Sequence, residues 1–180
     1  MRILMISDLE SSGGAAIAAS RLARGLVELG HTVERVVAIP NNNGNPWRTR
    51  TISQRRTIPL RVLRRAAPTL GLTLDRAVAE KELARILQGA QPEVINVHNL
   101  HYAQFAGWSE QMLRICAEHA PTVWTLHDMW SFTGRCIAAY DCQNFVNGCD
   151  ATCPTPGEYP TLPPGKIAGA WRVKRDLLAG

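Results

Sequence analysis

The segment from Arg2 to Ile39 constrains the fold of this chain more than any other. Arg2 to Ile6 reads as a buried strand, apolar from Ile3 onward. A loop from Ser7 to Gly14 follows and contains Ser11-Ser12-Gly13-Gly14. Ala15 to Leu29 then reads as a helix. Ile17, Leu22, Leu26 and Leu29 approximate one face, with Arg21, Arg24 and Glu28 elsewhere. Gly30 stands where a helix C-cap glycine belongs, and Thr32 to Ile39 is a Val-rich second strand. Strand, glycine loop, helix, glycine and strand make a βαβ unit, whose two strands must run parallel.

The alternation continues. After an Asn-rich loop from Pro40 to Trp47, the pattern is weak from Thr49 to Leu74, with a short basic amphipathic helix expected over Ile58–Arg65 and ended near Pro68. Asp75 is placed to cap a helix through about Leu87, with Val78, Leu83, Ile86 and Leu87 turned inward. Glu93 to Val97 is a strand. Ser109 caps a helix to about His119, buried through Met112, Leu113, Ile115 and Cys116, and Thr122 to Leu126 is a buried strand. The expected fold is a Rossmann-like, doubly wound parallel α/β sheet. An irregular Cys- and Pro-rich stretch and a final helix over Lys166–Leu178 follow it. With 180 residues, 46% of them apolar, the chain can form a compact core.

Ligands in such sheets lie beyond the carboxyl ends of the strands. Two strands end there in ionisable or polar groups: Val97 runs into His98-Asn99-Leu100-His101, and Leu126 into His127-Asp128. Imidazoles at that rim can exchange hydrogen bonds with hydroxyls and titrate near neutral pH. Gly13-Gly14 opens a helix, whose N-terminal N–H groups and dipole favour a phosphate. The pair is neither a three-glycine dinucleotide fingerprint nor a P-loop, since no Gly-Lys-Ser/Thr follows.

Cys136, Cys142, Cys149 and Cys153 are separated by six, seven and four residues. Four thiolates in a cytosolic protein suit a structural zinc, with two disulfides or free thiols as the other readings. Cys116 is read as a small buried apolar residue. The cationic excess gathers in Arg48–Arg65, which fits an anionic membrane surface better than nucleic acid, for which no reading motif is present. No apolar run is long enough to span a bilayer, and the N-terminus is too short for a signal sequence. The expected location is the cytoplasm, with peripheral contact at the inner face of the membrane.

Ser12-Gly13-Gly14-Ala15-Ala16, Leu22-Ala23-Arg24-Gly25-Leu26 and Leu29-Gly30-His31-Thr32-Val33 together resemble the opening of retaining GT-B glycosyltransferases that use nucleotide-sugar donors. Asn96-Val97-His98-Asn99-Leu100-His101 and Thr125-Leu126-His127-Asp128-Met129-Trp130, with Phe132-Thr133-Gly134, resemble a family 4-like subgroup that builds bacterial polysaccharides and carries a cysteine-rich loop. The resemblance implies two facing Rossmann-like domains, of which this chain is the N-terminal, acceptor-side half of the GT-B fold. Residues 1–134 would form that domain, 135–165 its Cys/Pro-rich loop, and 166–180 a helix leading to an absent donor-binding domain, so the chain alone should not transfer sugar.

By the same resemblance, Gly13 and Gly14 approach the donor diphosphate, and His127 serves the donor sugar as the catalytic contact. His98, Asn99, His101, Asp128 and Trp130 lie on the side of a saccharide or lipid-linked acceptor. The chemistry would need no metal. The competing reading is a non-catalytic α/β binding module whose four cysteines staple an interaction loop around zinc.

Overall fold

The computed structural model describes residues 1–41, 44–52 and 67–179. The basic helix expected over Ile58–Arg65 lies outside the described residues. The chain divides into two compact units, Met1–Thr125 and Leu126–Gly180.

The first unit is a five-stranded sheet of order β3-β2-β1-β4-β5, every pair parallel. The strands are β1 (Arg2–Leu9), β2 (Thr32–Ile39), β3 (Arg48–Thr51), β4 (Val94–Val97) and β5 (Thr122–Trp124). Helices α1 (Gly14–Glu28), α2 (Pro68–Ala90) and α3 (Gln111–His119) connect them. β1 is central, and Ile3 to Asp8 are all buried, as a strand covered on both faces requires. The sheet grows from β1 towards β3 on one side and from β4 to β5 on the other. Right-handed crossovers in opposite directions put their helices on opposite faces. Gly30 closes α1 as expected: its N–H donates to Val27 O, and the His31 N–H donates to Leu26 O.

Three expectations need correction, and one strand, β3, was not expected. α1 does not bury Ile17, Leu22 and Leu29, all of which are exposed. Its inner stripe is Ala16, Ala19 and Ala23, with Leu26 and Val27 packed on the core of Ile3, Met5, Val33 and Trp47. Small side chains let the helix lie close to the sheet. β3, with sequence Arg-Thr-Arg-Thr, has no apolar signature and forms through its ladder to β2. There Arg50 Nε lies 2.7 Å from Glu34 Oε2, and Arg48 Nη1 is 3.6 Å from Glu34 Oε1. Asp75 is not a cap but a buried residue inside α2, which begins with Pro68 at its first turn, while Val78 is exposed. β5 is not a buried strand: it has three residues at the sheet edge, and Val123 is 57% exposed.

Gly107 shows why one glycine is obligatory. Its φ is +81°, and a Cβ there would stand 2.3 Å from the Asp75 carbonyl oxygen. That close approach seats the turn after the 3-10 segment Tyr102–Ala106 directly on the backbone of α2.

The second unit contains no strand among its described residues. It holds a 3-10 turn (Met129–Ser131), a single-turn helix α4 (Asn144–Asn147) and helix α5 (Pro164–Leu178). Met129–Arg135 therefore belongs to the same compact unit as the cysteine loop. Gly134 is pressed against that loop and α5: a Cβ would meet Ile167 Cγ2 at 2.5 Å and Cys149 Cβ at 2.7 Å.

Candidate functional site

The strand order places the topological switch between β1 and β4, where crossovers leave in opposite directions. Crevices form outside the carboxyl ends of such strands. Gly13 and Gly14 follow β1, and His98, Asn99 and His101 follow β4, so these expected site residues share that rim.

The glycine loop is open. Gly13 and Gly14 are exposed, and nothing lies within 4 Å of where either Cβ would be. Gly13, at φ +83°, is the N-cap of α1, and no side chain caps the helix. No acidic residue stands in its first turn, so the N–H groups and positive dipole end remain available to an anion.

Across the switch, Asp8 ties β1 to the loop after β4. Its N–H donates to Asn99 O at 2.9 Å, and its carboxylate accepts from Leu9 N–H at 2.8 Å and Tyr102 N–H at 3.1 Å. The His98 N–H donates to Ile6 O at 2.8 Å, and Trp124 Nε1 donates to His98 O at 3.1 Å. His98 and His101 are buried and Asn99 is half-buried. The two imidazoles therefore belong to the wall of the rim, and Asn99 presents more surface.

Sequence reasoning missed the main polar feature of this rim, the carboxylate of Glu10. It is buried directly after β1 and accepts from Asn41 N–H at 2.6 Å, Asn45 Nδ2 at 3.0 Å, Trp47 Nε1 at 3.0 Å and the Thr49 hydroxyl. Its backbone carbonyl accepts from Ser20 Oγ and from Arg35 Nη1 at 2.8 Å. Burial pushes the Glu10 carboxyl up, but hydrogen bonds from Thr49, Asn41 and Trp47 and the charge of Arg35 outweigh it, so its pKa lies below the usual range. Arg35 is fully buried in β2, 5.6 Å from the Trp47 ring centroid. Burial lowers its pKa to about 10 against the pull of Glu10. The hub fixes the Asn-rich loop and β3 to the start of the glycine loop. Its only sequence trace is an acidic residue just past a buried strand.

The remaining expected residues lie in the second unit. His127 and Asp128 are half-buried. Asp128 is the N-cap of the 3-10 turn, its Oδ1 accepting from Trp130 N–H at 2.9 Å. Trp130 is 5% exposed, and its ring lies under the ammonium of Lys174, 4.1 Å from the centroid. Lys174, itself buried on α5, donates to Trp130 O at 2.6 Å. The indole is thus packing for the turn rather than a surface contact. Cys136, Cys142, Cys149 and Cys153 line one pocket as free thiols, and Cys116 is a buried free thiol whose pKa burial pushes up to about 12. Among the described residues, no three His, Cys, Asp or Glu side chains stand ready to hold a metal ion.

A five-stranded parallel sheet flanked by helices, with a glycine loop and polar residues at its switch point, defines a Rossmann-like α/β protein. Residues 12–156 match the family described as Glycosyltransferase Family 4, and the chain belongs to that family. Over 106 residues it is 35% identical to the Escherichia coli (strain K12) protein named "Putative colanic acid biosynthesis glycosyl transferase WcaC". That match covers 52% of this chain and 25% of the relative, so the chain spans well under two thirds of that protein's length. Among solved structures, Phytolacca americana UGT2 complexed with UDP-2-fluoro-glucose and pterostilbene superposes with a TM-score of 0.47 at 10% identity. This likeness covers 99% of this chain and 44% of that one.

Proposed function

We propose that this chain is the N-terminal, acceptor-side domain of a retaining GT-B hexosyltransferase that moves a sugar from a nucleotide-sugar donor to a saccharide or lipid-linked acceptor. The observation that carries this reading is the switch-point rim, where an uncapped helix N-terminus at Gly13-Gly14 lies across from the loop His98–His101. Membership of glycosyltransferase family 4 supports it. The N–H groups at Gly13 and Gly14 receive the donor diphosphate as negative charge builds on the leaving group. His127 hydrogen-bonds a donor-sugar hydroxyl, or supports charge at the anomeric carbon through its backbone carbonyl. His98, Asn99 and His101 of the first unit and, separately, Asp128 and Trp130 of the second are the acceptor contacts of this reading.

Most of the nucleotide is held by a second domain, so the segment Met1–Gly180 does not transfer sugar alone. The chemistry needs no metal, and a structural zinc on the four cysteines serves as scaffolding. Among the described residues no helix is long and apolar enough to cross a membrane. Peripheral membrane contact at the cytoplasmic face, through Arg48–Arg65, belongs to the same proposal.

Assay of the full-length enzyme against a panel of nucleotide sugars, reading nucleoside diphosphate release and product anomer by NMR, tests the proposal. The expected result is a retained anomeric configuration, transfer abolished in His127→Ala and a raised donor KM in Gly14→Val. An inverted product, or unchanged kinetics in both variants, would overturn it.

A further inference from the structure

Besides the four cysteines, the pocket in the second unit is lined by Arg135 and Asp150. All four cysteines line this one pocket, and Gly134 packs against it, a Cβ there standing 2.7 Å from Cys149 Cβ. Arg135 brings a buried charge to the same pocket. It is 1% exposed, and its Nη2 donates to Glu158 O at 2.7 Å, yet Nε and Nη1 have no partner. Asp150, the one carboxylate in the lining, is exposed, and its Oδ1 accepts from Thr152. A buried guanidinium with two idle donors beside four sulfurs is a cation without its anion.

We infer that Cys136, Cys142, Cys149 and Cys153 close on one zinc ion as four thiolates, and that Arg135 is the buried counter-charge donating to their sulfurs. Zinc displaces four thiol protons to solvent, and four thiolates on Zn²⁺ leave a doubly negative centre. That centre supplies the acceptors that Nε and Nη1 lack. The thiols are not at coordinating positions as they stand, so binding requires side-chain rotation, which the half-buried state of Cys142, Cys149 and Cys153 permits.

The centre also reaches the segment that carries His127. The Gly134 N–H meets Cys149 Sγ, and Thr133 Oγ1 donates to Cys136 O at 2.7 Å. On the other side, Lys174 Nζ is 3.5 Å from Gly134 O. A filled site would hold Met129–Arg135 between the metal and α5. Its relevance to sugar transfer rests on the function proposed above, but the metal site itself does not.

The full-length protein, purified under reducing conditions with zinc present, is analysed for metal content and titrated for reactive thiols. The expectation is one zinc per chain, with the four loop thiols masked until a chelator removes the metal. Cobalt substitution should give a thiolate-to-metal charge-transfer band and the spectrum of a tetrahedral site. Cys149→Ser should lose stoichiometric metal; because this variant could also unfold the unit, cobalt titration of the demetallated natural chain decides the matter independently. Arg135→Met keeps all four ligands and should weaken zinc binding about tenfold or more against a competing chelator. Four reactive thiols with no metal and no cobalt band, or disulfides in non-reducing mass spectrometry, would overturn the site. Unchanged zinc affinity in Arg135→Met would overturn the role of Arg135. None of these readouts requires sugar transfer, so they can fail or succeed separately from the glycosyltransferase reading.

Discussion

Residues 1–125 and residues 126–180 bury their backbones by different means. In the first unit, β1 is paired on both sides and covered by Ile, Leu, Met, Val and Ala side chains, so apolar burial supplies most of the driving force. Among the described residues of the second unit the buried apolar side chains include Trp130, Cys136, Ala139, Pro160 and Ile167. Ser131, Thr133, Arg135 and Lys174 are buried beside them. The backbone carbonyls of Trp130, Cys136 and Glu158 are met by the Lys174, Thr133 and Arg135 side chains instead of a ladder. A sheet unit of this kind should be indifferent to redox state and metal. A unit held by individual polar pairs and thiols should respond to redox state and metal.

The sharpest way to break this contrast is to place the same methyl group in each unit. Gly107→Ala forces a side chain into left-handed backbone and against a carbonyl that cannot move without α2, and should cost about 3 kcal/mol or more in urea denaturation. Gly134→Ala meets side chains instead, Ile167 and Cys149, and should cost about 1–3 kcal/mol. Its signature should be faster proteolysis and greater thiol reactivity confined to residues 126–180; a larger loss than for Gly107→Ala would mean the second unit is the more rigidly packed.

Acid should act on the first unit through Glu10. Its folded pKa is depressed below the unfolded value of about 4.3, so its contribution is fully present above that value and lost as pH falls through the folded one. Urea midpoints followed from pH 7 to pH 3 should therefore fall below about pH 4, and Glu10→Gln should flatten that slope while lowering stability at neutral pH. An equally steep slope in the variant would assign the acid sensitivity elsewhere. The smallest effect is expected from Glu34→Gln, since the Arg48 partner is largely exposed. A loss of about 1 kcal/mol or less, shrinking with added salt, should register in the same assay.

Much of the fold was legible because it is local. Thr32–Ile39 has the bounds expected of a strand, since a Val-rich run between Gly30 and Pro40 has one good conformation. The placing of polar residues beyond the carboxyl ends of strands followed from element order alone. β3 was not legible, because Arg-Thr-Arg-Thr becomes a strand only when β2 offers its edge and Glu34 its charge. The inner face of α1 was misjudged because alanine reads as neutral in a hydrophobic pattern, while close helix–sheet packing selects it.

The sequence by itself determined the βαβ opening, the parallel class of the sheet, the glycine loop after β1 and the polar residues after β4. Each of these depends on chain direction, periodicity and the backbone freedom of glycine. Only the tertiary structure decided that β5 is an edge, that Glu10 gathers Asn41, Asn45, Trp47 and Thr49, and that Arg135 is buried beside four cysteines. These features join residues distant in sequence. Burial and charge compensation choose such neighbours only after the chain has closed on itself.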